Sequence, residues 1–484
     1  MFIGIDLGTS GVKTILMSET GDILASTTTE ISVSRPHPLW SEQAPDDWWA
    51  ATLTSLKALS EQHHLNQVKA IGLSGQMHGV TLLDSQHQVI RPAILWNDGR
   101  CEAECHELEK LVPESRDITG NLMMPGFSAP KLKWLAKNEP ECFSRIDKVL
   151  LPKDYLRYLL TGEFATDLSD AAGTMWLDVK ARDWSDELLN ACELSRSHMP
   201  ALYEGNEITG TLKPMLAKQF GMDEVPVVAG GGDNAAGAIG VGIIKPGQAM
   251  ISLGTSGVYF SVSKQFISNP DSALHSFCHA LPGTWHTMSV ILSAASCLNW
   301  VAELTGYDTV SSMMDDVERN APETNVIFLP YLSGERTPHN NPNAKGVFFG
   351  MTHDTSKLTL AQAVLEGVGF ALADGLDALH ETGEKPDQIT LIGGGAKSSY
   401  WRQLLTNIFN LDLVYRRGGD VGPALGAARL AQLGVLGSGA MIEDVCPLPE
   451  IIESHKPDIA QHKKLSVKRE TFRMLYKQLL PVYS

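Results

Sequence analysis

The chain has 484 residues, 43% apolar and 20% charged, with 43 Gly and 25 Pro. That length exceeds one compact core and predicts two or three domains, while the composition excludes intrinsic disorder and collagen-like repeats. With 39 basic and 56 acidic residues the formal charge is −17, which repels a polyphosphate backbone and argues against nucleic acid as the main partner.

In chain order, residues 1–6 carry neither a basic leader nor a long apolar run, so no signal peptide is expected. Residues 2–5 and 12–17 read as strands joined by a tight glycine turn. Further buried strands are predicted at 68–73, 80–83, 93–96 and 225–229. Cys101, Cys105 and His106 lack a second Cys/His pair, so they read as part of an ordinary helix rather than a metal site. All seven cysteines are scattered, which predicts free thiols and a cytoplasmic protein. Strand-like runs return at 249–253 and 258–262. The charge-free stretch 272–302 is broken by Pro282, Gly283 and three His, so it is no membrane span. Apolar residues at 361, 364, 365, 368, 372, 376 and 379 predict an amphipathic helix. A strand at 388–392 and a helix capped by Ser398 or Ser399 and ending near Asn410 follow. The whole reads as α/β, with sheets flanked by helices.

One repeat organises these elements. Leu-Gly-Thr-Ser-Gly-Val occurs at 7–12 and again at 253–258, each copy between two strand-like runs. A single copy would only close a hairpin. Two copies half a chain apart predict a duplicated domain whose hairpin tips, rich in N–H groups, grip a polyphosphate from both sides. The halves are 1–243 and 244–484, parted by the Lys245-Pro246-Gly247 turn. Only the first copy carries a carboxylate and a cation, because Asp6 becomes Ser252 and Lys13 becomes Tyr259. No Gly-x-Gly-x-x-Gly and no P-loop occurs.

Three constellations carry chemistry. In Gly230-Gly231-Gly232-Asp233-Asn234, Asp233 reads either as a helix N-cap or, bared by the glycines, as a base that takes a proton from a hydroxyl. Residues 390–401 hold Gly394 and Gly395, whose bare backbone suits a flat ring or ribose near a helix N-terminus. Residues 74–79 place Gln76 and His78, both able to bond hydroxyls, around Met77.

Together these motifs resemble the FGGY carbohydrate kinases, within the sugar kinase–Hsp70–actin fold, over essentially the whole chain. Residues 126–135 match one family signature, and 346–351 with 361–367 match the other. The resemblance implies two RNase H-like domains flanking a cleft in which MgATP phosphorylates a terminal hydroxyl of a polyol or ketose. It implies Asp233 as general base, Asp6 as the Mg²⁺ ligand, and Gly8, Thr9, Ser10 and Lys13 as the first phosphate loop. Gly254 and Thr255 match the second phosphate loop. Gly394, Gly395, Ala396 and Ser399 match the adenosine segment. Met77, His78, Asp233 and Asn234 match the sugar pocket, with Gln76 beside them. Residues 74–79, 94–100 and 333–338 are most similar to family members that act on D-xylulose, which ranks that ketose ahead of ribulose, gluconate, fuculose and glycerol. Such a protein needs a sugar and ATP, no nucleic acid and no membrane; a homodimer is left open. An ATPase machine of the Hsp70 or actin type would share the repeat but not the sugar-pocket motif.

Overall fold

Both hairpins form, and each seeds a mixed sheet. In the computed structural model, which describes all residues except 321, 387, 418–421 and 484, the first sheet contains β1 (Phe2–Leu7), β2 (Gly11–Met17), β3 (Ile23–Glu30), β4 (Ala70–Gly75), β5 (Ile208–Thr211), β6 (Pro226–Val228) and the two-residue β7 (Gly231–Gly232). The second contains β8 (Gln248–Leu253), β9 (Gly257–Ser263), β10 (His275–Cys278), β11 (Trp285–Ile291), β12 (Gln388–Ile392), β13 (Leu413–Arg416) and β14 (Ile451–His455).

The strand orders correspond. The first sheet runs β5-β6-β4-β1-β2-β3 and the second β14-β13-β12-β8-β9-β11, with β10 added at the edge. In each, an antiparallel meander is extended by two parallel strands and closed by an antiparallel one. The duplication read from six residues is therefore a duplication of architecture. One connection differs: the closing strand precedes its neighbour in the first sheet and follows it in the second.

The predicted strand at 93–96 shrinks to Ala93–Ile94, paired with Glu42–Gln43. The predicted helix at 361–379 extends to α3 (Lys357–His380), because Ser356 caps it in a reciprocal capping box with Thr359. Two other helices matter for the site: α1 (Asp233–Gly240) and α2 (Ser296–Leu304), the latter anchored on the second hairpin tip. They are joined later in the chain by α4 (Ser399–Phe409), α5 (Gly422–Leu436) and α6 (Ile459–Leu479).

Packing crosses the chain midpoint twice. Helix α5, from the second half, lies on β1 and β4 of the first sheet and against α1. Its approach is so close that a Cβ at Gly72 would lie 1.9 Å from the Ala427 carbonyl oxygen, and one at Gly4 equally near that of Ala424. Glycine is the side chain this contact requires. One apolar core also runs continuously from Met77, Leu132 and Trp176 into Phe260, Phe277 and Met288 of the second sheet. There Asn121 bonds both the carbonyl (2.9 Å) and the N–H (3.0 Å) of Ser276, acting as one more strand residue for β10. All seven cysteines are free. No helix among the described residues is long and apolar enough to cross a membrane.

Candidate active site

The first hairpin tip is a four-residue loop closed by Gly8 N–H donating to the Gly11 carbonyl at 2.9 Å. Asp6 and Lys13 are register partners on β1 and β2. With Gly8 and Ser10 they line an open groove that also meets Glu30. Four of the five predicted residues of this loop and its metal site are thus on one surface.

Thr9 is held from behind. Its hydroxyl accepts from Trp96 Nε1 (2.9 Å) and donates to Gln76 Oε1 (3.1 Å). Gln76 Nε2 in turn donates to Gln43 Oε1 (2.9 Å), which also receives Trp48 Nε1 (2.9 Å). Gln43 Nε2 returns to the Thr9 carbonyl at 2.8 Å. Gln76 is therefore buried under the loop, its carboxamide committed to Thr9 and Gln43, and it does not line the cavity in front of Asp233. The reading of Gln76 as a sugar ligand is replaced by that of a loop support.

Asp233 is the first residue of α1, and the N-cap is Gly232, with no side-chain cap bond. The Asp233 Oδ1 accepts from the N–H (2.7 Å) and Nδ2 (3.0 Å) of Asn234, its immediate neighbour. Burial pushes the Asp233 carboxyl up to about 6, against these two donors. Asp6 is pushed up to about 7 by burial and then by the Asp233 charge. The glycines before Asp233 do not open the backbone to a ligand, as the sequence suggested. A Cβ at Gly230 would lie 1.8 Å from the Leu73 carbonyl oxygen, one at Gly231 meets Ala280, and one at Gly232 lies 2.8 Å from Met77 Sδ. Their smallness lets the strand end pass through protein.

That strand end is clamped by buried charge. Arg157 Nη1 donates to the Val228 carbonyl (2.6 Å) and to Thr209 Oγ1 (2.9 Å), and Ser169 Oγ accepts the Gly232 N–H at 3.1 Å. Ser169 is bonded to Asp167, which meets Lys153 Nζ at 2.7 Å; Asp154 (2.6 Å) and Asp170 (3.1 Å) surround the same ammonium, all with fully buried side chains. Three carboxylates around two cations leave several buried oxygens without a hydrogen-bond partner, so this cluster fixes geometry rather than adding stability.

In front of Asp233 lies a cavity of about 310 Å³ between the two halves. Met77, His78, Asp233, Asn234 and Gly254, all singled out from sequence, line it. His78 sits at φ 68°, its Nδ1 2.7 Å from the Gly173 carbonyl, and burial lowers it to about 3. The ring is thus neutral, with Nδ1–H donating to Gly173 and Nε2 left to accept. The carbonyl of His78 accepts from Lys131 Nζ (2.7 Å) and Ser128 Oγ (3.1 Å), so the signature at 126–135 serves to hold this loop. Phe127, His275, Phe277 and Arg336 also line the cavity. None of these four was assigned a role from sequence, although 126–135 and 333–338 were singled out. The alternation His275-Ser276-Phe277, which sends both rings to one face of β10, was the available signal for the other two.

The second hairpin tip differs from the first. Leu253 pairs with Gly257, leaving a three-residue loop, and Gly254 N–H donates to the Ser256 carbonyl at 3.1 Å. The residue facing Ser252 is Val258, not Tyr259. Tyr259 turns into the core, its hydroxyl 2.9 Å from His380 Nε2. The alignment of Lys13 with Tyr259 in sequence thus does not carry over to the strand register, and the second tip has no cation at the place of Lys13. Thr255 is exposed, and its carbonyl accepts Ser296 Oγ at 2.8 Å, tying the tip to α2. In the segment 390–401 Gly394 faces open space, whereas a Cβ at Gly395 would strike Trp401 and Leu253. Ala396 is fully buried, so neither it nor Gly395 offers an open face. Ser398 is the cap, accepting the Trp401 N–H at 3.2 Å, and Ser399 Oγ donates to Glu453 Oε1 at 2.7 Å.

For a divalent cation, Asp6 supplies one fitting feature: its Oδ1 is buried without a hydrogen-bond partner beside a second carboxylate. No cluster of three or more His, Cys, Asp or Glu among the described residues could hold a metal by itself. A magnesium ion here would take most of its oxygens from phosphate and water, its usual habit.

Two family profiles cover the chain: the FGGY family of carbohydrate kinases, N-terminal domain, at residues 1–240, and the C-terminal domain at residues 249–434. The chain belongs to the FGGY family of carbohydrate kinases. It is 63% identical over 483 residues to the xylulose kinase of Escherichia coli (strain K12), covering 100% of both chains. Among solved structures it resembles a "xyloylose kinase" from Brucella ovis (TM-score 0.93, 46% identity, 99% of each chain). It also resembles a gluconate kinase from Lactobacillus acidophilus (TM-score 0.91, 27% identity, covering 99% of this chain and 98% of that one).

Proposed function

We propose that this chain transfers the terminal phosphoryl group of ATP to the C5 hydroxyl of D-xylulose, giving D-xylulose 5-phosphate and ADP, in the cytoplasm. The observation that carries the reaction is Asp233, placed at the cavity between the halves with its carboxyl raised to about 6. A base with that affinity is ionised at neutral pH and still close enough to operating pH to accept a proton. The choice of sugar rests on the full-length similarity to xylulose kinases, since gluconate kinase shares the fold.

The chain's own residues divide the work. The 1–243 half brings the base and the first loop, and the 244–484 half closes the cavity with Gly254. Asn234 holds one oxygen of Asp233, leaving the other to take the hydroxyl proton as the sugar oxygen attacks the γ-phosphorus. Met77 and neutral His78 position the sugar, with Nε2 of His78 accepting from a hydroxyl. Gly8, Thr9, Ser10 and Lys13 meet phosphate oxygens from one side and Gly254 and Thr255 from the other. The adenosine is placed along Gly394, with Gly395, Ala396 and Ser399 shaping the backbone beneath it. Magnesium held by Asp6 would neutralise phosphate charge. Coupled ADP release from D-xylulose, ribulose, gluconate, fuculose and glycerol tests the reading. D-xylulose is expected to give the highest kcat/KM; a higher value for another substrate replaces the sugar and keeps the chemistry.

A further inference from the structure

The motif at 333–338 has no task in the phosphoryl transfer just described, yet it delivers a cation to the sugar cavity. Its backbone is pinned to the second sheet. Thr337 N–H donates to the Val290 carbonyl (3.0 Å), Val290 N–H donates to Thr337 Oγ1 (3.0 Å), and Thr337 Oγ1 donates to the Ala273 carbonyl (3.0 Å). Glu335 exchanges backbone bonds with Asn341 (2.9 and 2.8 Å), and its buried carboxylate accepts the N–H groups of Leu292 (2.9 Å) and Arg336 (2.7 Å). The last helix holds the far side of the loop, where the Tyr476 ring stacks on His339 at 3.7 Å and its hydroxyl accepts Asn341 Nδ2 at 3.2 Å. Arg336 is thereby presented on a rigid support, the condition for discrimination by a single side chain.

Arg336 lines the cavity and places Nη1 3.2 Å from His275 Nε2. Burial and the Arg336 charge hold His275 well below its ordinary value, so the guanidinium donates to a neutral imidazole rather than to a carboxylate. Phe127 stands edge-on to both His78 (4.8 Å) and His275 (5.5 Å), joining the three rings and Arg336 into one wall. The Arg336 charge is also felt at His78, after that of Lys131, whereas the charges felt at Asp6 are those of Asp233 and Lys13. The cavity lining thus holds a carboxylate, Asp233, where the proton is taken, and a guanidinium, Arg336, and neither is among the charges felt by the other.

Resting on the function proposed above, we propose that Arg336 is a specificity-determining residue that donates to the ketone oxygen of the open-chain sugar, at the end remote from Asp233. A guanidinium offers five N–H donors and no acceptor. A ketone oxygen only accepts, so it matches the guanidinium. A pentitol with a hydroxyl at the same carbon brings a proton that Arg336 cannot accept, and an unmatched polar group in a closed site is costly.

The test is a substrate–variant cycle: kcat/KM for D-xylulose, xylitol and D-arabinitol with the wild type, Arg336→Met and Arg336→Lys, alongside each protein's melting temperature. The wild type is expected to prefer the ketose strongly, and Arg336→Met to shrink the ketose-to-pentitol ratio by about 10–100-fold, the worth of a hydrogen bond from a charged donor. Arg336→Lys, which keeps charge and a donor, is expected to retain part of the ratio and covers the case of an unfolded Met variant. Equal loss on all three substrates, with the ratio unmoved in the folded variant, overturns the inference and makes Arg336 a structural residue. A wild type that turns over other sugars but not D-xylulose overturns the parent reading instead, and this inference with it.

Discussion

The two hairpin tips share six consecutive residues and differ in register by one. In the first, Leu7 pairs with Val12; in the second, Leu253 pairs with Gly257. Because side chains alternate along a strand, that single step exchanges the faces of everything that follows. Val12 is buried and Lys13 half-buried on the groove, whereas Val258 borders the cavity and Tyr259 is fully buried. The cause lies outside the repeat. A tyrosine gains by entering the core and bonding His380, while a lysine gains by staying beside solvent and Asp6. Identical turn residues thus give a charged, chemistry-bearing tip in one half and an apolar wall in the other.

The largest expected effect breaks the charged side at its centre. Asp233→Asn should lower kcat by about 10²–10⁴-fold, the usual contribution of a general base. The same change should leave the melting temperature at or above that of the wild type, because it removes a buried charge whose raised pKa marks it as destabilising when ionised. Calorimetry alongside steady-state assays checks both; turnover at a comparable rate by the folded variant would remove Asp233 from the base role.

Exchanging the register-setting residues comes next. Tyr259→Lys places an unpaired ammonium in the core and should cost roughly 3–5 kcal/mol in urea unfolding. Lys13→Tyr should hold stability within about 0.5 kcal/mol and lose activity instead. Equal stability losses in both variants would show that the two tips are not differentiated by burial.

Acid should silence the charged tip without unfolding it. Asp233 at about 6 and Asp6 at about 7 are both raised, so each must lose its proton to work, and kcat/KM should fall about tenfold per unit between these values and about a hundredfold per unit below both. The stability sign is opposite: a raised carboxyl favours the folded state in its protonated form, so these two groups stabilise the fold as pH falls through 7 and 6. Circular dichroism between pH 7.5 and about 5.5 is expected to stay native while the rate declines. Coincident loss of both signals would assign the acid limb to unfolding.

The smallest effect concerns how each tip is supported. Gln76→Leu strands the Thr9 and Gln43 partners and should cost about 1–3 kcal/mol, with a raised KM for ATP. Thr255→Ala on the second tip touches an exposed side chain and should stay within about 0.5 kcal/mol. Chemical unfolding of the pair measures the contrast.

Much of this protein was legible in its sequence because the signals were local. Turn glycines between apolar runs specify a hairpin, helical spacing specifies α3, and a carboxylate at a strand end marks Asp233; each depends on residues a few positions apart. The repeated hexapeptide extended that reach to the duplicated sheets. What only the tertiary structure decided depends on partners far along the chain. Gln76 became a loop support because Gln43 and Thr9 lie behind it. The glycines before Asp233 admit Leu73, Ala280 and Met77 rather than a ligand. Helix α5 crosses to the first sheet because Gly4 and Gly72 leave room for its backbone. Arg336 reaches the cavity in front of Asp233 because β11 and the last helix hold its loop there. Turn chemistry and periodicity belong to neighbouring residues, whereas strand register and the face a side chain meets are set by whichever distant surface offers the better burial.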